Sequence, residues 1–406
     1  MRLEIERDVG LFFLTRAVRL FAYGSLAVVL VLYLAELGMS EARIGALLSL
    51  TLLGDTAISL WIATRADELG RRRMLMVGAG LMILAGGVFA ASRDPAFLLA
   101  AAIIGVISPG GNEVGPFLSI EQAALAHVVG DGQRTRVFAW YQLTGSFAMA
   151  TGSLAGGGIA GLLQAVGASP LESYRAVVLL YAAAGAGLLW LFHRLGPSVE
   201  VRNAGLAPRR FGLVRSHRIV ASLSALFALD SFAGGMVVQS LVAYWFHVRH
   251  GVAAGSLGAI FFGANLLAGM SSLVAAWIAA RIGLLRTMVF THLPSNVLLI
   301  LVPLMPTAGA AIAVLLVRFC ISQMDVPTRQ SYTMGVVLPE ERSAAAGITG
   351  VARTTGAALS PMLAAPLLGT PWLNLPFFVA GGLKILYDLL LYRGFRRSRT
   401  PDGKEL

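Results

Sequence analysis

The 406-residue chain is 57% hydrophobic and only 13% charged, with a mean hydropathy of +0.75 and a formal net charge of +11. An ordinary soluble domain carries about 25% charged residues, so the composition excludes a soluble globular protein and places the chain in a bilayer. Its single cysteine, Cys320, excludes an intrachain disulfide and a cysteine-based metal site.

The first ten residues, MRLEIERDVG, carry two glutamates and an aspartate, and no small-residue cleavage site follows, so no signal peptide is expected. Apolar runs then recur at the length of roughly 20 residues that a helix needs to cross a membrane. In chain order they cover about 9–37, 41–66, 72–92, 95–129, 134–166 and 172–195, then 219–249, 253–281, 284–304, 308–337, 342–369 and 372–394. The fold class is therefore an all-α polytopic membrane protein with about twelve transmembrane helices, because barrel strands would alternate over shorter stretches.

The tract 196–218, rich in Gly, Pro and Arg, splits these segments six and six. We read residues 1–195 as one six-helix half, 196–218 as a cytoplasmic linker, and 219–406 as a second half with a short basic tail. Lys and Arg gather in RADELGRRR (65–73), PRRFGLVRSHR (208–218) and RGFRRSR (393–399). With a cytoplasmic N-terminus, only Arg43, Arg93, Arg175 and Arg249 fall on the far side, which is the positive-inside bias of a cell (inner) membrane protein with both termini cytoplasmic. The basic charge thus reports topology, not nucleic-acid binding.

The halves resemble each other. Residues 145–164 overlie 353–369 with a shift of about 208, placing Ala148, Gly152, Ser153, Gly156 and Gly157 on Gly356, Ser360, Pro361, Ala364 and Ala365. Both tracts carry small residues at spacings that let helices approach closely. The same shift sets Gln122 on Gln330 and Glu121 on Arg329; nearer the front of each half, ELGMSEARIGALL (36–48) overlies RHGVAAGSLGAIF (249–261). Such internal repeats are characteristic of secondary transporters.

The stretch ATRADELGRRR (63–73), between the second and third segments, resembles the loop signature of the major facilitator superfamily. Asp67, Gly70, Arg71 and Arg72 match it, while Ala63 and Glu68 replace a glycine and a basic residue. Physically, Gly70 permits a tight turn, and Asp67 is placed to face the positive N-terminal end of a helix. GSLAGG (152–157) is similar to an element of that superfamily's antiporters, with Ser153 standing where proline is usual. The resemblance implies two six-helix pseudo-repeat halves that rock in alternating access. It also implies that segments one, four, seven and ten line a central cavity while three, six, nine and twelve lie outside.

About a dozen ionisable groups sit inside the apolar runs, each costing roughly 2.5–3.5 kcal/mol at a lipid-exposed helix centre. Their sum, roughly 30–40 kcal/mol, exceeds the usual net stability of about 5–15 kcal/mol, so they must face inward. On the implied cavity segments we expect Arg16, Arg19, Tyr23, Glu113, Glu121, Asp230, Arg318, Asp325, Arg329 and Tyr332 to line the substrate path. Arg16, Arg19 and Tyr23 share one helical stripe; Arg318, Asp325, Arg329 and Tyr332 share another, with Pro327 opening the backbone between them. Arg329 either pairs with Asp325 to gate the path or merely neutralises it.

Glu113 and Asp230 are the favoured proton-coupling groups, because neither has an opposite charge one turn away on its own segment. Asp55 and Arg353 are expected to pair between the halves, as the resemblance implies for segments two and eleven. Lys384 and Asp388, one turn apart, read as a self-satisfied structural pair. The histidines read as packing near segment ends, Tyr244, Trp245 and Phe246 as an interfacial aromatic belt, and Trp140 and Tyr141 as either belt or cavity.

No metal site, cofactor or enzymatic motif is expected. The expected function is a monomeric secondary transporter of a small solute in the lipid bilayer, with proton-coupled efflux ahead of proton-coupled uptake of an organic anion. A transporter-like sensor is the alternative of a different class.

Overall fold

The computed structural model describes residues 2–113, 115–129, 131–200, 216–338 and 341–396. The middle of the linker and the end of the basic tail therefore lie outside the described residues. Helices α1 (Arg2–Glu36), α2 (Glu41–Leu69) and α3 (Arg71–Ala91) match the first three apolar runs, and α6 (Asp131–Ala165) and α7 (Pro170–His193) match the fifth and sixth. In the second half, α10 (Ala254–Ile282), α11 (Leu284–Leu301) and α16 (Leu375–Phe395) do the same for the eighth, ninth and twelfth.

Four runs are broken rather than continuous. The fourth is α4 (Pro95–Ile104) and α5 (Phe117–Val128); the seventh is α8 (His217–Gly235) and α9 (Gln239–His250). The tenth is α12 (Ala308–Phe319) and α13 (Asp325–Val336); the eleventh is α14 (Arg342–Leu359) and α15 (Pro361–Leu368). Among the described residues nine helices are long and apolar enough to cross a membrane; breakage leaves only short helices in the fourth and tenth runs.

The breaks have local causes. Residues 105–116 hold Pro109, Pro116 and two glycines with positive φ, Gly111 (70°) and Gly115 (83°), a conformation that other residues adopt only with strain. Non-helical backbone at membrane depth persists only where protein surrounds it and satisfies its polar groups, and here Ser108 Oγ donates to Asn112 O at 2.7 Å. In the tenth run the break falls at 320–324. Pro327 therefore sits in the first turn of α13, where its missing N–H costs nothing, and does not open a helix interior as expected.

The described chain forms two compact units, one of residues 1–206 with 239–262 and the other of 207–238 with 263–406. In the first, α1 and α6 touch backbone to backbone. A Cβ on Gly24 would lie 2.2 Å from Met149 O, one on Gly152 2.1 Å from Phe21 O, and one on Gly156 2.3 Å from Ser25 O. Ser25 Oγ donates to Gly152 O at 2.9 Å across the same seam. In the second unit α8 and α14 repeat the contact: a Cβ on Gly235 would lie 2.4 Å from Ala357 O, and one on Gly356 2.4 Å from Ala228 O. The small-residue tracts are thus the surface on which each unit closes against its first long helix.

The expected aromatic belt is a core element instead. Trp245 and Phe246 are fully buried, edge to face at 4.9 Å, and Tyr244 donates to Glu41 Oε1 at 3.2 Å. Trp140 is exposed while the adjacent Tyr141 is buried, as a rotation of about 100° per helical residue requires.

The close contacts predict a graded outcome. Gly24→Ala and Gly152→Ala are expected to destabilise by about 1–3 kcal/mol through overpacking, whereas Gly158→Ala, with nothing within 4 Å of its added carbon, is expected to melt like wild type. Thermal unfolding of the purified variants in detergent checks the order.

Candidate functional site

The charges of the first unit converge. Arg19 on α1 makes a two-pronged contact with Glu121 on α5, Nη1 to Oε1 at 2.9 Å and Nη2 to Oε2 at 2.8 Å, and both side chains are fully buried. Its Nε donates to Glu113 Oε1 at 2.6 Å, and Arg16 Nη1 donates to Glu113 Oε2 at 2.8 Å. Thr15 Oγ1 and the Tyr141 hydroxyl also donate to Glu121, and Arg16 Nη2 donates to Gln142 Oε1 at 2.8 Å. The guanidinium of Arg16 lies 4.3 Å from the centre of the Tyr141 ring, and that of Arg19 lies 4.7 Å from the Phe117 ring.

Local structure places these groups. The non-helical 105–116 stretch carries Glu113 to the two arginines, and Gly145 leaves room for the Arg16 head group, whose Nε would be 2.6 Å from an added Cβ. Glu113 retains some exposure, 12% of its side chain, while Arg19 and Glu121 are dry. Tyr23 is buried within packing, its ring 6.4 Å from that of Tyr181.

A second cluster occupies the second unit. Arg329 Nη1 donates to Asp325 Oδ2 at 3.0 Å and to Asp230 Oδ2 at 3.2 Å. Lys384 Nζ donates to Asp230 Oδ1 at 2.6 Å. Asp388 is gripped by His292 Nδ1 and Asn296 Nδ2, each at 2.9 Å, and His292 Nε2 stands 3.8 Å from Asp230 Oδ1.

Several expectations are corrected by this geometry. Lys384 and Asp388 are not a self-contained pair: Lys384 serves Asp230 and Asp388 serves His292. His292 is not end packing but a buried member of the ionic cluster. Glu113 and Asp230 have no opposite charge one turn away on their own segments, yet cations reach them from other helices: two arginines for Glu113, and Lys384 with Arg329 for Asp230. Arg318 leaves the stripe of Asp325 and Arg329 because the break at 320–324 puts it on α12. Tyr332 lies in the apolar core of its unit, edge-on to Phe395 at 6.2 Å.

Arg318 and Arg353 remain. Both are half-buried, and the Nε of each is shielded from solvent without a hydrogen-bond partner among the described residues. Both feel the charges of Asp325 and Asp230, yet neither forms an ion pair in its unit. Asp55, in the first unit, accepts from Ser59 Oγ at 3.3 Å and from the Gly115 backbone, with no cation beside it in that unit.

At the 63–73 loop, Gly70 has φ 99° and begins α3. Asp67 lies in the last turn of α2, with its side chain outside what the structure describes. The carboxylate at the positive end of α3 is that of Glu200, which accepts from the Arg71 N–H at 2.8 Å and the Arg72 N–H at 3.2 Å. The Arg72 side chain reaches His193 Nδ1 at 3.1 Å.

Sequence reasoning missed Thr15, Gln142, His292, Asn296 and Glu200. The spacing of His292 and Asn296, one turn apart on an otherwise apolar run, was the available signal for two of them.

A family model described as Major Facilitator Superfamily matches residues 12–361. The chain is 29% identical over 418 residues to an uncharacterised membrane protein of Saccharomyces cerevisiae, YJR124C, covering 95% of this chain and 93% of that protein. Among solved structures, a bacterial homologue of the human lysosomal transporter Spinster, inward-facing and unoccupied, superposes with a TM-score of 0.76 at 14% identity, over 99% of this chain and 100% of that one. The nucleoside transporter NupG gives 0.74 at 14% identity over 96% and 100%, and a D-xylose–proton symporter 0.73 at 14% over 98% and 99%. At such identity the likeness establishes the fold.

The dry Arg19–Glu121 pair yields a reversal test. Arg19→Met or Glu121→Met alone strands a buried charge and is expected to cost about 3–5 kcal/mol, whereas the double variant is expected to recover most of that loss. Folded yield and melting temperature in detergent measure it; a double variant no better than the worse single one would contradict the pairing.

Proposed function

Because the chain belongs to the Major Facilitator Superfamily, a family of transporters and not enzymes, we propose that it moves a small organic anion across a cell membrane together with protons, by alternating access. The observation that carries this reading is the pair Arg318 and Arg353, two guanidinium groups that are half-buried and unpaired in their own unit. A buried cation without a partner is costly, and an anionic substrate removes that cost on binding. Arg16, Arg329 and Glu113 complete the set of groups we assign to the substrate path, with Asp230 as the hub through which Arg329 feels protonation.

Uptake is the direction we adopt. The tract 152–157, which favoured export, is accounted for by the packing of α6 on α1 and by the close approach of Gly157 to Gly258, whose Cα would lie 2.6 Å from a Cβ added at Gly157. An anion that travels with protons follows the proton gradient inward. The positive-inside bias supports cytoplasmic termini, and monomeric operation is part of the same proposal.

Reconstitution in liposomes containing a pH-sensitive dye tests the proposal. Addition of a panel of mono- and dicarboxylates outside is expected to acidify the interior for a subset of them, and their neutral amides are expected to do nothing. Arg318→Gln and Arg353→Gln are each expected to raise KM about tenfold or more, the weight of about 1.4 kcal/mol in a charge-assisted hydrogen bond. Acidification by neutral solutes, or carboxylate transport indifferent to both substitutions, would sink the anion reading.

A further inference from the structure

The α8–α11–α16 seam of the second unit holds a polar chain of which the assignments above use only Asp230. It runs Asn296, Asp388, His292, Asp230, Lys384, and all five side chains are buried. The corresponding seam of the first unit, between α3 and α7, is closed without it. There Gly86 packs on Ala182, with an added Cβ 2.8 Å from the alanine methyl, and Gly185 packs on Ile83, with an added Cβ 3.0 Å from Cγ1. Residues 74–91 and 176–192 contain no ionisable side chain except Tyr181. The repeat therefore builds this seam without charge, and replacing buried ion pairs by apolar residues is often neutral or stabilising. The polar chain is not needed to close the second unit.

Charge balance indicates what it holds. Asp230 and Asp325 meet the permanent cations Arg329 and Lys384 at 2.6–3.2 Å, whereas Asp388 is joined to them only through His292, whose Nε2 stands 3.8 Å from Asp230 Oδ1. Asp388 has no permanent cation at hydrogen-bond distance among the described residues, and a buried carboxylate without one is strongly disfavoured in a low dielectric. One proton on His292 balances it, and the ring is flanked for that state: Nδ1 faces Asp388 at 2.9 Å and Nε2 faces Asp230 at 3.8 Å. The other titratable or charged groups that face the ring or its partners are Tyr387 from α16, edge-on at 5.9 Å, and Arg318 and Arg353 from α12 and α14, which form no hydrogen bond with the network.

We propose that His292, held between Asp388 and Asp230, is the residue that takes up and releases the transported proton, and that Arg329 links it to the anion. This rests on the reading of the chain as a proton-coupled anion transporter. No covalent bond changes: a proton from solvent adds to the imidazole nitrogen that faces Asp230 and leaves by the same atom. When a substrate anion draws Arg329 away, Asp230 loses one of its cations and holds the imidazolium more tightly. Anion and proton then bind with positive coupling, and by linkage each raises the affinity for the other. Asp388 and Asn296 are positioning residues, fixing the ring through Nδ1.

Histidine-labelled full-length protein in lipid nanodiscs tests the assignment by NMR, with the His292 signal identified by its loss in His292→Gln. A titration of His292 between pH 4 and 9 is expected. Asp388→Asn should lower its midpoint by a pH unit or more, a tenfold loss of proton affinity. Lys384→Gln should raise it, because Asp230 then has only Arg329 and the imidazolium to lean on; this second variant decides the matter if Asp388→Asn does not fold. A ring that keeps one protonation state across the range, or a midpoint that neither substitution moves, overturns the proposal. The liposome assay separates the two levels. Proton-coupled flux that survives intact in His292→Gln overturns the histidine and leaves the transporter reading standing, whereas absence of flux in wild type with a normal His292 titration overturns the transporter reading and leaves His292 a proton-binding site without a transport role.

Discussion

An ion removed from water inside a bilayer must meet an opposite charge at hydrogen-bond distance, and this requirement organises both units. In the first, an arginine of the opening helix, Arg19, meets a glutamate of the broken fourth run, Glu121. In the second, an aspartate of the broken seventh run, Asp230, meets an arginine of the broken tenth, Arg329. Glu121 and Arg329 correspond in the internal repeat, so the same contact is made with its signs reversed. Around the first pair, the hydroxyls of Thr15 and Tyr141 donate to Glu121; around the second, Lys384 donates to Asp230 and Asp325 accepts from Arg329.

The ionic contacts need the helices to be close, and glycine provides that. Gly24 on Met149 O and Gly235 on Ala357 O are the same contact in the two units, since residues 149 and 357 correspond under the shift of about 208. Gly70 (φ 99°) and Gly283 (φ 86°) likewise begin corresponding helices, as Gly38 (φ 81°) and Gly251 (φ 64°) turn corresponding loops. Without lipid-phase hydrophobic drive between helices, such backbone contacts and the buried polar links are what hold a bundle together.

The fold was legible because membrane helices are written in length and composition, and the repeat was legible in its glycines. The break at 105–116 was also written locally, in Pro109, Gly110, Gly111, Gly115 and Pro116. The break at 320–324 was not, since CISQM contains neither glycine nor proline and Pro327 drew attention to the wrong place. Which charges lie inward followed from cost, and the structure gathers Arg16, Arg19, Glu113 and Glu121 in one network and Asp230, Asp325 and Arg329 in another. Partner choice did not follow, because a lone imidazole such as His292 shows no local sign of an aspartate 96 residues away. Glu200 was missed for the same reason: its role depends on the chain returning to Arg71 from 129 positions downstream.

The reversal of sign between Arg19–Glu121 and Asp230–Arg329 limits how this molecule can be rebuilt. Corresponding helices are matched in shape but not in polarity, so grafting α13 in place of α5 would set guanidinium against guanidinium. Duplication supplied the architecture, yet each copy is now locked to its own electrostatic key, and recombination between the copies is closed to it unless both members of a pair move as one.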